Sequence, residues 1–543
     1  MAVLNQTLSG ALSEAAKKAF DLDLKPEEIT IEIPKRKDQG EYSTNLAMRL
    51  AKTLHRKPAD IAADLVAALN DPSIEKAEIA GPGFINFTMS SDEYSRIIPE
   101  ILAKGSDFGQ LPDKNIKVDL EYVSANPTGP LHLGHARGAA WGDSVARIMK
   151  KAGYDVTREY YINDAGNQIA NLAKSLWARY AQAHGQEAEI GQDGYMGEDV
   201  KRKAEELAKA YPNIYLEPTP ETLKFFAKEG IQYELNNIRQ DLGRFRVEFD
   251  VWSSEQALRD SGKVDKALEK IDQNGYMYEQ DGAVWFKTTD FGDSKDRVLR
   301  KADGSYTYLV PDIAYHNDKY QRGFDRLVDF FGADHHGYIP RLKAAMATLG
   351  NDPDALEVDI IQMVRMVRNG EEVKMSKRLG NADTIIDLLD LVGTDAARYF
   401  FVSRALDTHF DFDLDLAVSQ SNENPVYYAQ YAHARICSIL KNADYPAPKD
   451  FSGLDNEKEI ELLKVLAEYP SVVEQTGKSR QVHRMTHYIQ NLASKFHSFY
   501  SACKVNDPEN PELSAKRIAL LQAVKIVLAD ALSLIGVSAP ESM

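Results

Sequence analysis

Cysteine is scarce in this chain: Cys437 and Cys503 are the two among 543 residues. They stand far apart, so they offer neither a disulfide scaffold nor the CxxC pair of a zinc knuckle, and a reducing compartment fits. Long apolar runs are missing as well. The nearest, Ile518 to Ile535, is interrupted by Gln522, Lys525 and Asp530. Its apolar residues at 518, 521, 524, 528, 532 and 535 share one helical face, which reads as a core helix and not a membrane span. Near the N-terminus, Glu14, Lys17 and Lys18 fall where a signal peptide would need an apolar run. A cytoplasmic protein without a membrane anchor is expected. Positive charge is also in deficit, with 65 Lys and Arg against 82 Asp and Glu, a formal net charge of −17. That balance argues against a general nucleic-acid binder, because phosphate contacts need cations.

One stretch runs the other way. From Gln475 to Asn506 there is no acidic residue, while Lys478, Arg480, Arg484, Lys495 and Lys504 occur with His483, His487 and His497. A basic island on an acidic protein holds RNA locally or is a solvated helix face, and charge alone does not choose. Composition is that of an ordinary globular protein, 43% hydrophobic and 27% charged, and the length suggests three or four domains.

The expected architecture is α/β, in four parts. Residues 1–112 read as a small N-terminal α/β domain, with helices at Leu4 to Phe20 and Leu46 to Leu54 and a strand after Gly81-Pro82-Gly83. Residues 113–365 open with strand, Pro/Gly loop and helix, which predicts a Rossmann-like parallel sheet. A polar stretch at about 185–290 reads as an insertion within it. Residues 366–420 form a connecting region with a basic loop, and 421–543 read as helical throughout.

Two constellations carry chemistry. Asn126-Pro127-Thr128-Gly129-Pro130-Leu131-His132-Leu133-Gly134-His135 lies between the first strand of the sheet and its first helix. Ligands of parallel α/β folds bind at that end of the sheet, and a helix N-terminus there attracts phosphate. His132 and His135 fall on one side of the first turn, and Gly134 lets a base or phosphate approach. Two imidazoles can donate hydrogen bonds to charge developing on a phosphate. Taken alone, HxGH fits capping histidines or a metal pair equally well. The second constellation is Val373-Lys374-Met375-Ser376-Lys377-Arg378-Leu379-Gly380-Asn381, three cations in five residues on a glycine-flanked loop, suited to clamping a polyphosphate. Taken alone, it is a solvated basic turn.

Together, HxGH on the first crossover and KMSKR about 240 residues later resemble the class I aminoacyl-tRNA synthetases. The flanking text, Glu121-Tyr-Val-Ser124-Ala-Asn126, Tyr308-Leu-Val-Pro-Asp312, Gly332-Ala-Asp334-His335-His336-Gly337-Tyr338 and Asn422-Glu-Asn-Pro-Val-Tyr-Tyr-Ala-Gln-Tyr-Ala-His-Ala-Arg435, is similar to the arginyl-tRNA synthetase family of bacterial type. Gly40-Glu-Tyr-Ser-Thr-Asn45 and Gly81-Pro-Gly-Phe-Ile-Asn86 extend the likeness over nearly the whole chain.

The resemblance implies an ATP-dependent ligase that joins L-arginine to its tRNA(Arg) through an arginyl-adenylate, releasing AMP and pyrophosphate for protein synthesis. It implies catalytic roles for His132, His135, Lys374 and Lys377. ATP contacts are implied for His132, Gly134, His135, Gly332, Asp334, Lys374, Met375, Ser376 and Lys377, with Mg²⁺ carried mainly by the ATP and no metal site of the protein's own. Arginine contacts are implied for Glu121, Ser124, Asn126, His132, Tyr308 and Asp312. Physics supports the two acids, because a planar, permanently charged guanidinium wants carboxylates in fork geometry, at roughly 1.5–3 kcal/mol per charge-assisted bond. An N-cap role for Asp312 and a plain ion pair for Glu121 are the structural alternatives. Lys35, Arg36, Lys37, Arg480 and Arg484 are expected to meet tRNA, with Tyr488, Phe499 or Tyr500 as possible base stackers, although core packing explains any one of the three equally simply. A monomer is expected.

Rival readings are a class I synthetase for glutamate, glutamine or cysteine, a small-molecule nucleotidyltransferase, and a non-catalytic RNA-binding paralogue. An acidic substrate would need cations where Glu121 and Asp312 stand. A nucleotidyltransferase has no need of a helical domain after the basic loop, and a retired site need not keep HLGH and KMSKR.

Overall fold

The computed structural model describes residues 2–32, 34, 40–373 and 384–543. Lys35, Arg36 and Lys37, and the whole of Lys374, Met375, Ser376 and Lys377, lie outside the described residues, as does the side chain of Asp334.

The N-terminal unit is a four-stranded antiparallel sheet, in spatial order Ile31–Glu32, Tyr42–Thr44, Phe84–Met89, Ile74–Ala80, backed by helices Ala2–Phe20, Leu46–Leu54 and Pro58–Ala68. Phe84–Met89 alternates, so Ile85, Phe87 and Met89 are buried and their neighbours are half-exposed. Gly83 has φ +133° and lies so close to Pro58 that a Cβ would sit 2.7 Å from the proline ring. That contact requires glycine in the Gly-Pro-Gly turn.

Five parallel strands form the central sheet: β1 (Lys117–Glu121), β2 (Asp155–Ile162), β3 (Val251–Ser254), β4 (Arg326–Gly332) and β5 (Leu356–Ile361). Their spatial order is β5-β4-β1-β2-β3. The order reverses at β1, which makes the carboxyl end of β1 the topological switch point. Helix α1 (Leu133–Lys151) crosses from β1 to β2. Its small residues let it pack closely; a Cβ on Gly142 would fall 2.3 Å from the Tyr122 ring. The edge strand β3 lies inside the stretch 185–290 read as an insertion, so that stretch is two pieces. Helices Glu198–Ala210 and Pro220–Arg244 precede β3; short helices and a three-stranded antiparallel sheet (Met277–Gln280, Ala283–Phe286, Arg297–Arg300) follow it. Four polar-bounded residues of an edge strand carry too little periodicity to be separated from loop.

Helix α2 (Leu309–Gln321) then leads into β4. After β5, strand Val364–Arg368 pairs in parallel with Phe410–Asp413, framing the basic loop. The C-terminal part packs helices Pro425–Lys441, Glu457–Ser479, His483–Ala502 and Pro511–Leu534. In the last of these, Ile518, Leu521, Val524, Leu528 and Leu532 are buried, as is Ile535 just after it. Arg398 ties this part to the sheet domain: fully buried, it donates to Asp143 at 2.6 Å and to the carbonyls of Ile535 and Phe245 at 2.9 and 2.8 Å. Among the described residues no helix is long and apolar enough to cross a membrane.

Candidate active site

β1 ends in acid: Lys-Val-Asp-Leu-Glu buries Asp119 and Glu121 in a strand covered on both faces. Immediately beyond it the backbone is strained. Val123 has φ +72° and Ser124 φ +41°, and the Ser124 N–H closes a three-residue turn onto the Tyr122 carbonyl at 3.0 Å. A β-branched residue at positive φ costs on the order of 1–3 kcal/mol, and such residues concentrate at functional sites. The distortion turns the Ser124 hydroxyl back, where it donates to Glu121 Oε1 at 2.9 Å and accepts the Tyr161 N–H at 3.1 Å. Asn126, two residues on, is exposed.

Helix α2 supplies the facing wall. Asp312, His316 and Lys319 follow an i, i+4, i+7 spacing and share one side of it. Lys319 is 0% exposed and its ammonium reaches Glu121 Oε2 at 2.6 Å, Asp329 at 2.9 Å and Asp119 at 3.0 Å. His316 Nε2 lies 2.7 Å from the second Asp329 oxygen. Burial would raise Asp329, but Lys319 and His316 overcome it and hold that carboxyl well below its ordinary range. Burial likewise opposes ionisation of Glu159, yet Asp119, Lys319, Arg322 and Ser253 keep it at about 2. Asp119 itself is pushed up by burial.

Asp312 differs. Burial lifts it to about 6, the Tyr338 hydroxyl and His316 pull it down, and the charges of Glu121 and Glu255 push it up again. Tyr338 donates to Asp312 Oδ2 at 2.5 Å. Glu121, Asp312 and Glu255 are thus brought within electrostatic reach of one another. The buried Tyr161 hydroxyl lies among them, close to Glu255 but without a well-formed hydrogen bond, and burial, then the charges of Glu255 and Asp312, the contact with Glu255 and the charge of Glu121 drive its ionisation far upward. Arg259 holds Glu255 at 2.6 Å and His316 acts on Asp312, yet among the described residues Asp312 makes no ion pair, and the excess of carboxylates around this phenol describes a receptor for a cation. Tyr308, 84% exposed at the start of α2, lines the adjoining cleft of about 720 Å³ with Glu255, Asn163 and Asn167.

The HLGH segment stands at the same end of the sheet. His132 caps α1, and its ring lies 4.1 Å from that of His135, centroid to centroid. Burial, and then the neighbouring His132, lower His135 to about 4, and its Nδ1 is buried without a partner. Around neutral pH His135 is an uncharged imidazole with unused hydrogen-bonding capacity. A Cβ on Gly134 would touch only the His132 ring, at an ordinary 3.5 Å, so internal packing does not demand glycine there and the space above it is open to a ligand. Two later residues join it here: Thr384 forms a bridge with His132, and the Ile385 N–H donates to the Leu131 carbonyl at 2.9 Å. Gly332 ends β4, next to β1. Of the two following histidines, His335 lies against Phe331, and His335 and His336 are both exposed.

The basic island is divided. Arg480 is 12% exposed, and its guanidinium grips Asp359 at 2.6 and 3.0 Å and Glu357 at 2.6 Å, clamping the helical part to β5. Those acids neutralise it, so it is a structural clasp and not an open phosphate contact. Its neighbour Arg484 is exposed and bonded to Gln481. Tyr488 and Phe499 are core residues, and Tyr500 stacks under Arg435 at 4.8 Å.

Sequence reasoning missed Tyr161, Glu255, Lys319, Asp329 and Tyr338 as site residues. The available signal was Asp119 and Asp329, acids in the middle of otherwise apolar strand runs.

Residues 4–89 match the arginyl tRNA synthetase N terminal domain, 97–404 the catalytic domain of class I (R) tRNA synthetases, and 429–543 the DALR anticodon binding domain. An arginine--tRNA ligase of Anoxybacillus flavithermus and one of Bacillus subtilis are each 55% identical over 524 residues, covering 95% of this chain and 94% of theirs. The solved Thermus thermophilus arginyl-tRNA synthetase shares the fold at TM-score 0.72 and 21% identity, over 99% of this chain and 100% of that one. With a catalytic-domain match over more than half its length and relatives this similar end to end, the chain belongs to the arginyl-tRNA synthetase family of class I aminoacyl-tRNA ligases.

Proposed function

We propose that the acidic pocket behind HLGH selects L-arginine, that ATP activates it there, and that tRNA(Arg) receives it. The observation that carries this reading is the convergence of Glu121 and Asp312 at the end of the sheet where His132 and His135 also stand. Arginine brings two cations and one nucleophilic carboxylate. That carboxylate must reach the α-phosphorus next to His132 and His135. The guanidinium then reaches Glu121 and Asp312, with Tyr308 against its stem, and Ser124 and Asn126 address the α-ammonium and carboxylate end. Glu121 already holds Lys319 and Ser124 and so is less available for a bidentate fork than Asp312.

In the reaction the arginine carboxylate attacks the α-phosphorus in line and pyrophosphate leaves. His135, neutral before ATP arrives, hydrogen-bonds the crowded phosphate. Lys374 and Lys377 meet the departing phosphates, with Met375 and Ser376 alongside, and Gly332 and Asp334 lie at the ribose. Mg²⁺ would be carried mainly on the ATP oxygens, where it would neutralise the phosphates. A tRNA terminal hydroxyl then displaces AMP. Arg484 and Lys35, Arg36 and Lys37 are the cations we assign to tRNA. We further propose that the protein acts as a monomer in the cytoplasm.

Charging assays with each of the twenty amino acids and total tRNA test the reading. Arginine alone should become acid-precipitable. Charging of glutamate, glutamine or cysteine, or none at all, would refute it.

A further inference from the structure

Three carbonyl oxygens from two separate segments converge on one arginine. Arg137 follows His135 on α1 and is 1% exposed. Its Nη1 donates to the Gln362 carbonyl at 3.0 Å and to the Thr408 carbonyl at 2.9 Å, and its Nη2 donates to the Ala405 carbonyl at 2.7 Å. Burial pulls this guanidinium down to about 10 against the field of Asp407, so it is still a cation near neutral pH. Every acceptor the described residues give it is a main-chain oxygen, so the fork reads the path of the backbone and not the identity of a side chain.

Both segments are roots of strands. Gln362 leaves β5 and leads into strand Val364–Arg368, while Ala405 and Thr408 lead from helix Thr394–Val402 into strand Phe410–Asp413. The Gln362 N–H donates to the Leu406 carbonyl at 3.1 Å, and the two strands pair in parallel. Along the chain, the first of them continues through Glu371–Glu372 to Val373, after which the basic segment 374–383 begins. Beyond that segment, Thr384 bridges His132 and the Ile385 N–H reaches the Leu131 carbonyl. α1 also packs closely on the end of β5, where a Cβ on Gly138 would lie 2.9 Å from Ile361 Cδ1. The chain on either side of the basic segment is therefore tied to α1 or to the turn before it, through Arg137 on one side and through His132 and Leu131 on the other.

We propose that Arg137 is a positioning residue for the activation step, setting the register between the imidazole pair at the start of α1 and the strand that precedes Lys374 and Lys377. This rests on the reading above that His135 serves the α-phosphate and the basic segment the departing phosphates. Arg137 touches no reacting atom. Groups that act together on one phosphoryl transfer tolerate little misplacement, so a clasp between their supports is felt in the rate. The demand falls on the first step, in which pyrophosphate leaves. In the second step AMP leaves, and no β- or γ-phosphate has to be met.

Two assays separate the steps. ATP–pyrophosphate exchange in the presence of tRNA reads the first. AMP-dependent deacylation of arginyl-tRNA runs the second backward without pyrophosphate: an AMP phosphate oxygen attacks the ester carbonyl, and the tRNA hydroxyl leaves with its proton. Arg137→Lys keeps the charge but cannot span three carbonyls with a planar fork. It should lower the kcat of exchange by roughly tenfold to a hundredfold, as loss of a charge-assisted contact implies, with the arginine KM and the AMP-dependent rate within about twofold of wild type. Arg137→Gln, which removes the buried charge together with the fork, should shift the ratio of the two rates in the same direction. Both rates are read on one preparation, so their ratio does not depend on the folded fraction. An unchanged ratio, whether both rates persist or both fall together, overturns the proposal and leaves Arg137 a purely structural residue. Lys377→Ala in the otherwise wild-type enzyme checks the reading beneath it: if exchange and deacylation fall alike there, the assignment of the basic segment to the departing phosphates is what fails.

Discussion

Replacing Tyr338 by phenylalanine removes one hydroxyl and should move the pH dependence of arginine use. In the folded protein Asp312 titrates at about 6 against an ordinary 3.8, because burial outweighs the hydrogen bond from Tyr338. Folded Asp312 keeps its proton through a window where the unfolded chain has lost it, so its contribution to stability falls as pH rises from 3.8 to about 6. Arginine binding needs the ionised form, so kcat/KM for arginine should climb with pH along an acid limb near 6. A hydrogen bond to a charged group is worth about 1.5–3 kcal/mol, which corresponds to roughly one to two pKa units. Tyr338→Phe should therefore carry the limb to about 7–8, and at pH 7 the ionised fraction would drop from about nine-tenths to half or less. ATP–pyrophosphate exchange in the presence of tRNA, at subsaturating arginine from pH 5.5 to 9, reads the limb directly. Activity should return toward wild type at the alkaline end. A limb that stays in place, or a loss that is the same at every pH, would refute the assignment of Asp312 as the titrating receptor.

Three further outcomes follow from the packing. Arg480→Ala strips the clasp from Glu357 and Asp359, both partly exposed, and should cost about 1–3 kcal/mol in chemical denaturation; an unchanged midpoint would show the clasp to be idle. Arg484→Glu leaves the fold alone because the side chain is exposed, and should raise the KM for tRNA without moving that for arginine; equal tRNA KM values would remove it from the interface. Gly142→Ala drives a methyl to 2.3 Å from the Tyr122 ring, and overpacking of this kind costs about 1–3 kcal/mol, visible as a lower melting temperature. Since Tyr122 follows Glu121, arginine KM should also rise in Gly142→Ala, and an unaltered KM would show that the strand end absorbs the strain.

Local pattern made the scaffold legible. Strand, Pro/Gly loop and helix around Asn126 to His135 announced the first crossover of a parallel sheet, since alternation and helical spacing are properties of neighbouring residues. The buried face of the last helix was readable for the same reason.

The pocket and the clasp were decided elsewhere. Tyr161, Glu255, Lys319, Asp329 and Tyr338 come from β2, the helix after β3, α2, β4 and the turn after β4, and, Asp329 in its apolar run apart, nothing in their immediate neighbours distinguishes them from ordinary surface or core residues. Whether a carboxylate is paired, and at what pH it ionises, depends on distances through space that only the packed sheet sets. Arg480 shows the converse: an arginine in an acid-free stretch reads as open to RNA, yet Glu357 and Asp359, more than a hundred residues earlier, neutralise it. Periodicity and motif spacing are encoded along the chain, whereas charge compensation is a property of which strands and helices meet.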